Sequence, residues 1–227
     1  MRILAIETVG LRGSVAALND DEVLLERALD SRQRSAQSLA PGVRDLVAEV
    51  GWSPAEIELV AVAEGPGSFT GLRVGITTAK VFAWAANCPA IGVNTLEAIA
   101  LQTPMLAGRL SVVLDAQRGE LFVADFRRDP VGQLSGAHTT RVEPRDTWLA
   151  SLAPGDRVSG PGLEQVYESL PAGIEVMSRD AWQPRAGTVG QLGFARRQKA
   201  TSASAFELVP RYYRATAAEE KFASRES

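Results

Sequence analysis

Short aliphatic runs separated by glycine-bearing turns open the chain, and that rhythm predicts strands before helices. ILAIET (Ile3 to Thr8) reads as a strand, GLRGSVAALND as a turn and a second strand, and EVLLERAL (Glu22 to Leu29) as a third. Three strands in succession imply an antiparallel meander. From Arg32 to Val50 the period changes: Leu39, Val43, Leu46, Val47 and Val50 recur at helical spacing, and Gly51 is a stop. ELVAVAE (Glu58 to Glu64) is a strand of the fully buried type, TGLRVGITTAKVFAWAAN (Thr70 to Asn87) a second helix, and PAIGVN (Pro89 to Asn94) a further strand.

The second half begins the same way. LSVVLDAQ, ELFVADFRRD, a turn at DPVGQ and a following strand repeat the meander, and an acidic residue closes the first strand of each half, Glu7 and Asp115. RVSGPG (Arg157 to Gly162) and a helical LEQVYESL follow. Two meanders, each with helices packed on one side, predict two α/β lobes with a boundary near Thr103.

Composition narrows the class. The 227 residues are 45% hydrophobic and 22% charged with 20 glycines, an ordinary globular profile. A net charge of −3 gives no general attraction to nucleic acid, and the basic clusters RRQK (Arg196 to Lys199) and RYYR (Arg211 to Arg214) read as solvated faces. The single cysteine, Cys88, allows no internal disulfide and no cysteine-based metal site, which predicts a reducing, cytoplasmic setting. No apolar run is long enough to span a bilayer, and MRILAIET reads as a strand rather than a leader, so no membrane is expected as a partner.

The stretch AEGPGSFTGLRVGITTAK (Ala63 to Lys80) carries the candidate chemistry. Gly65, Gly67, Gly71 and Gly75 match neither dinucleotide nor P-loop spacing, and Lys80 lies about three helical turns past Ser68. Pro66 and Thr70 flank Ser68 where a nucleophile elbow needs glycines, and the only histidine, His138, sits in a hairpin region, so a serine triad has little support. Gly71, Gly75, Ala79 and Ala83 recur every four residues and make a strip with almost no side chain. Another helix can approach it closely: either the preceding helix of the same chain, or a partner's, since Leu72, Val74, Ile76, Val81, Phe82 and Trp84 put apolar groups on more than one side.

ILAIET, GPGSFTGLRVGI, IGVNTLEAIA, LDAQRGELF and VPRYYR, in that order from Ile3 to about Arg214, resemble the TsaB (YeaZ) family. The resemblance implies the two RNase H-like lobes of the actin, sugar-kinase and Hsp70 superfamily: residues 1–103, completed by 212–227, and residues 104–211. It implies a non-catalytic scaffold needed for threonylcarbamoyladenosine (t6A) at position 37 of tRNAs that read codons beginning with A. The partners implied are the catalytic sister subunit TsaD, the ATPase TsaE that joins the pair, tRNA through the complex, and a second copy of the chain when TsaD is missing. The paired histidines of the catalytic sister correspond to Thr95 and Ile99, neither able to replace them as metal ligands, so no metal and no catalytic residue is expected.

Glu7 and Asp115 would then mark a vestigial nucleotide cleft, with Glu7 where the family usually has aspartate, Gln117 where it has arginine, and only one glycine in LRGS (11–14). No cofactor is expected in the isolated chain, although nucleotide at the partner junction is compatible with the resemblance. The expected partner interface comprises Gly71, Leu72, Gly75, Ile76, Ala79, Phe82 and Ala83 with Leu39 and Val43, packed as a four-helix bundle. Gly65, Pro66, Gly67, Ser68 and Thr70 form a structural loop, with Ser68 or Thr70 capping the helix. A stand-alone small-molecule kinase or ATPase and a peptidase are the rival readings.

Overall fold

A computed structural model describes residues 1–214 except 11, 31–34, 105–107, 130–133, 136–138 and 200–206; residues 215–227 fall outside it. The first sheet runs β3-β2-β1-β4-β5, built from β1 (Arg2–Glu7), β2 (Ser14–Asn19), β3 (Glu22–Ala28), β4 (Leu59–Gly65) and β5 (Ala90–Asn94). β1 pairs antiparallel with β2 and parallel with β4, and β4 pairs parallel with β5.

Successive residues of a strand face opposite sides. Leu4 and Ile6 pack beneath α1 (Ser35–Glu49) and α2 (Phe69–Ala86), against Leu39, Val43, Leu46 and Ile76. Ile3 and Ala5 pack on the other side with Ala186 and Val189 of α5 (Ala186–Lys199). Helices therefore cover both faces, not one as the pattern alone implies, and this is why ILAIE and LVAVAE are aliphatic without alternation.

The second sheet repeats the order. β6 (Gly108–Gln117) lies between β7 (Glu120–Arg128) and β10 (Arg157–Ser159), with β11 (Glu175–Val176) beyond β10, and with β8 (Leu134–Ser135) and β9 (Arg141–Pro144) both pairing with β7. One face carries α3 (Thr95–Gln102) through Leu96, Ile99 and Ala100; the other carries α4 (Arg145–Ala150), whose buried Trp148 donates from Nε1 to Ser111 Oγ at 3.0 Å. Two sheets of the same order make two α/β lobes of like topology, as the resemblance implies.

Two local expectations change, and others fall outside the described residues. LEQVYESL forms 3-10 turns at Pro161–Gln165 and Tyr167–Ser169 instead of an α-helix. The opening residues of the first predicted helix, 32–34, and His138 lie outside the described residues. The range 104–211 also contains α5, which packs on the first sheet, so the chain returns to the first lobe near Ala186, well before residue 212. α5 was missed because its small residues Gly187, Gly190 and Gly193 carry no hydrophobic signal. They let the helix lie on the sheet: a β-carbon on Gly190 would stand 2.3 Å from Leu18 Cδ1, and one on Gly193 2.5 Å from Ala61 Cβ.

The strip on α2 faces inward. Gly71, Gly75, Ala79 and Ala83 are all buried, and β-carbons on Gly71 and Gly75 would meet Thr8 O at 2.0 Å and Thr8 Oγ1 at 2.3 Å. The close approach is thus between a helix and the end of β1, sealed by Thr8 Oγ1 donating to Gly71 O at 2.8 Å. Gly71→Ala is expected to destabilise the chain by about 3 kcal/mol, because a backbone oxygen cannot move aside. The exposed Thr77→Ala on the same helix should stay within about 0.5 kcal/mol of the parent. Denaturant unfolding of the two variants checks both values.

Candidate functional site

The loop between β4 and α2 sets the geometry. Gly65 has φ of +121°, and a β-carbon there would stand 2.6 Å from Arg211 O, so this position needs glycine on both counts. Ser68, not Thr70, caps α2: its Oγ accepts from the Gly71 N–H at 3.3 Å. Thr70 is exposed beside it.

That N-terminus borders a cleft of about 880 Å³ between the lobes. Ser68, Thr70 and Arg73 line one wall and Asp115, Gln117 and Arg118 the other, with Gln183 and Arg214 between them. Glu7 ends β1, whereas Asp115 lies just before a register shift near the end of the equivalent β6, which runs on to Gln117, and the two acids differ in surroundings. The Asp115 carboxylate accepts from the Gln117 N–H at 2.9 Å and pairs with Arg145 at 3.2 Å, a turn cap with a charged partner. Glu7 is wholly buried; its Oε1 accepts from the amides of Val9 at 2.6 Å and Gly10 at 2.8 Å, while Oε2 has no partner. Burial pushes the Glu7 carboxyl up to about 7, against the lowering pull of the Gly10 and Val9 amides and with a small further rise from Glu26.

The amides that would cradle a phosphate at this turn are therefore held by the chain's own side chain. Among the described residues no group of three or more His, Cys, Asp or Glu is placed to hold a metal ion. Thr95 and Ile99 are both fully buried, Ile99 within the second lobe's core.

A second constellation joins the lobes. Leu208 sits in the first core, its carbonyl accepting from Lys80 Nζ at 3.2 Å. Next along the chain, the Arg211 N–H donates to Glu64 O at 2.8 Å and its Nε pairs with Glu64 Oε1 at 3.1 Å. Tyr212 OH accepts from Arg73 Nε at 3.1 Å, and its ring lies 4.9 Å from that of Phe69. Tyr213 OH accepts from Asn94 Nδ2 at 3.1 Å, and Arg214 reaches Ala116 O at 2.8 Å and Glu120 at 3.1 Å. The arginines of RYYR, and Arg196 with its partners Glu97 and Glu64, are engaged within the fold.

The third feature is the outer face of α2. Trp84 is 71% exposed and Val81 59%, with Phe69 and Tyr212 exposed at the helix start. Beside it α1 turns Gln37, Ala40, Pro41, Arg44 and Ala48 outward. The expected interface set needs correction accordingly: Gly71, Leu72, Gly75, Ile76, Ala79, Ala83, Leu39 and Val43 are buried in the chain's own core, and Phe82 is half-buried against it. A helical period tells which residues share a face but not which face turns inward. The apolar groups at Val81 and Trp84 were the available signal for the outer one.

The family model described as "TsaD: tRNA N6-adenosine threonylcarbamoyltransferase" matches residues 29–134. The chain is 39% identical over 144 residues to the tRNA threonylcarbamoyladenosine biosynthesis protein TsaB of Escherichia coli (strain K12), covering 63% of this chain and 62% of that protein. It is 32% identical over 127 residues to the TsaB of Bacillus subtilis (strain 168), covering 56% of each. The solved structure of YeaZ from Pseudomonas aeruginosa superimposes with a TM-score of 0.74 at 25% identity, over 93% of this chain and 99% of that one. The chain is similar to the TsaB (YeaZ) family. Its matches span about three fifths of the length of those curated TsaB proteins and nearly all of the YeaZ structure.

The Glu64–Arg211 pair is testable through pH. Burial raises the Glu64 carboxyl above its usual range, with Arg211 and Arg196 pulling the other way. Arg211→Ala removes a partner of the ionised form only, so its cost is absent at low pH, where Glu64 is protonated in both folded and unfolded chains. The cost should grow to about 1 kcal/mol as pH rises and Glu64 ionises. Unfolding free energies of parent and variant at acidic and alkaline pH check the sign.

Proposed function

We propose that this chain is a non-catalytic scaffold that pairs with a TsaD-type subunit through the outer faces of α1 and α2 and so supports t6A formation at position 37 of tRNAs reading codons that begin with A. The observation that carries the reading is the exposed apolar face of α2, with Trp84 71% and Val81 59% accessible on a helix whose opposite face is packed to the core. A tryptophan so placed is a natural interface anchor. The names of the relatives, TsaB and the TsaD family model, supply the pathway and the kind of partner.

On this reading a TsaE-type ATPase joins the heterodimer, tRNA is met through the complex in the cytoplasm, and the same face forms a homodimer when TsaD is missing. Nucleotide at the subunit junction belongs to the assembled pair. The internal occupation of the Val9 and Gly10 amides by Glu7 argues against the isolated chain taking phosphate at that turn.

The decisive experiment mixes purified chain, TsaD-type and TsaE-type subunits and measures threonylcarbamoyl transfer to tRNA, with the chain present, omitted and alone. Modification that requires this chain, with no turnover by the chain alone, supports the scaffold. ATP hydrolysis by the chain alone, or transfer that is unaffected by its omission, overturns it. Trp84→Asp should leave thermal stability within about 0.5 kcal/mol of the parent, since the side chain lies outside the core. It should weaken association with the TsaD-type subunit by about 30-fold or more, read by titration calorimetry. Unchanged affinity would move the interface elsewhere.

A further inference from the structure

Gln183 lies in the short connection that brings the chain back from the second lobe to the first. Trp182 before it is part of the second lobe's core with Trp148 and Val158, and Ala186 after it is part of the first lobe's core with Ile3 and Ala5. The connection is held firmly. Gln102 Nε2 at the end of α3 donates to Ala181 O at 2.9 Å and to Gln183 O, and Thr188 Oγ1 donates back to Gln102 Oε1 at 3.2 Å.

The end of β1 abuts this connection. Glu7 Oε2 and Gln183 Oε1 are both buried, and both are without a hydrogen-bond partner. They border the same small space, because a β-carbon on Gly10 would stand 3.3 Å from Glu7 Oε2 and 3.4 Å from Gln183 Oε1. Two buried acceptors sharing a space with no hydrogen between them each carry an unreturned desolvation cost. A proton on Glu7 Oε2 would supply the hydrogen that this space lacks.

We propose that Glu7 keeps its proton in the folded chain and donates it from Oε2 to Gln183 Oε1, making a latch between the two lobes that opens when the carboxyl ionises and its proton leaves to solvent. Oε1 then remains the acceptor of the Val9 and Gly10 amides in either state. The surroundings favour the neutral form. Glu26 on β3 is the charged group that faces Glu7, and it repels a second negative charge. β2 presents Ser14, which accepts from the Ala186 N–H at 2.9 Å, and α5 presents the Gly187 N–H, already donated to Glu26 at 3.3 Å. Gly10 faces the connection through Pro184 and Gln183, neither of them charged.

The sign of the pH effect follows. A carboxyl raised from 4.5 to about 7 holds its proton in the folded chain where the unfolded chain has lost it. Its stabilising contribution is complete below the unfolded value and disappears as pH rises through the folded one. The latch therefore loosens the floor of the inter-lobe cleft around neutrality. It does not depend on the scaffold role.

The test follows the Glu7 carboxyl carbon and the Gln183 side-chain amide by NMR through a pH titration of the full chain, in the presence of a chelator and again with magnesium. Both signals should move together with one midpoint near 7. Glu7→Gln, whose amide can donate to Gln183 at every pH, should abolish the Gln183 response and flatten the fall in thermal midpoint that the parent shows between about pH 6 and 8.5. A Glu7 midpoint in the ordinary carboxylate range overturns the latch, since it means the Gln183 amide is turned to donate from Nε2 to an ionised group. A Gln183 signal indifferent to the Glu7 titration leaves burial alone as the cause and also overturns it. So does a midpoint that magnesium lowers, which would make the space a cation site.

Discussion

The first lobe rests on one close approach, the backbone at the end of β1 lying against the first two turns of α2. Thr8 O comes within 2.0 Å of where a β-carbon on Gly71 would be, and Thr8 Oγ1 within 2.3 Å of the corresponding point at Gly75. Hydrogen is the only side chain that fits at either position. The same contact fixes the direction in which α2 leaves β4, because Gly65 and Gly67 turn the chain where Arg211 O and Val9 leave no room for side chains. The entry of α2, the turn after β1 and the returning segment around Arg211 are thus determined together.

That constraint decides which side of α2 is left for a partner. With Gly71, Gly75, Ala79 and Ala83 committed to the sheet, the opposite surface carries Arg73, Thr77, Val81 and Trp84. A strip of small residues can serve close helix pairing in principle, but it cannot do so while pressed against its own strand. Apolar groups on the outer side are the part of the pattern that the core does not explain.

Much of this was legible from aliphatic runs and their punctuation. The two meanders, the equivalent placement of Glu7 and Asp115 and the extent of α2 follow from residues whose local preference agrees with the fold, ending at Asn87 in the left-handed conformation with φ of 52°. Three features were not legible, each for a physical reason. α5 covers the first sheet through glycines, so the quantity that identifies a core helix in a sequence is missing from it. The inward face of α2 depends on what lies above the sheet, which no periodicity reports. An acid at a strand end has the same letter whether it caps a turn, as Asp115 does, or is enclosed, as Glu7 is.

The contrast between those two acids shows how one topology used twice need not give two equal sites. Asp115 is over a third exposed and pairs with Arg145, so its charge is compensated from the side and from water. Among the described residues Glu7 has no cation beside it, and α5, the 183–184 connection and β2 close over it. Its two backbone amides compensate only part of what burial costs a charge. A carboxyl so placed is better suited to holding structure than to holding a ligand, because anything anionic would have to displace it from amides that belong to its own turn. The segment from Leu208 to Arg214 acts in the same sense, tying β4, α2 and β6 with backbone and charged contacts. Both arrangements tie the turn after β1 and the end of β4 to the segments that return from the second lobe.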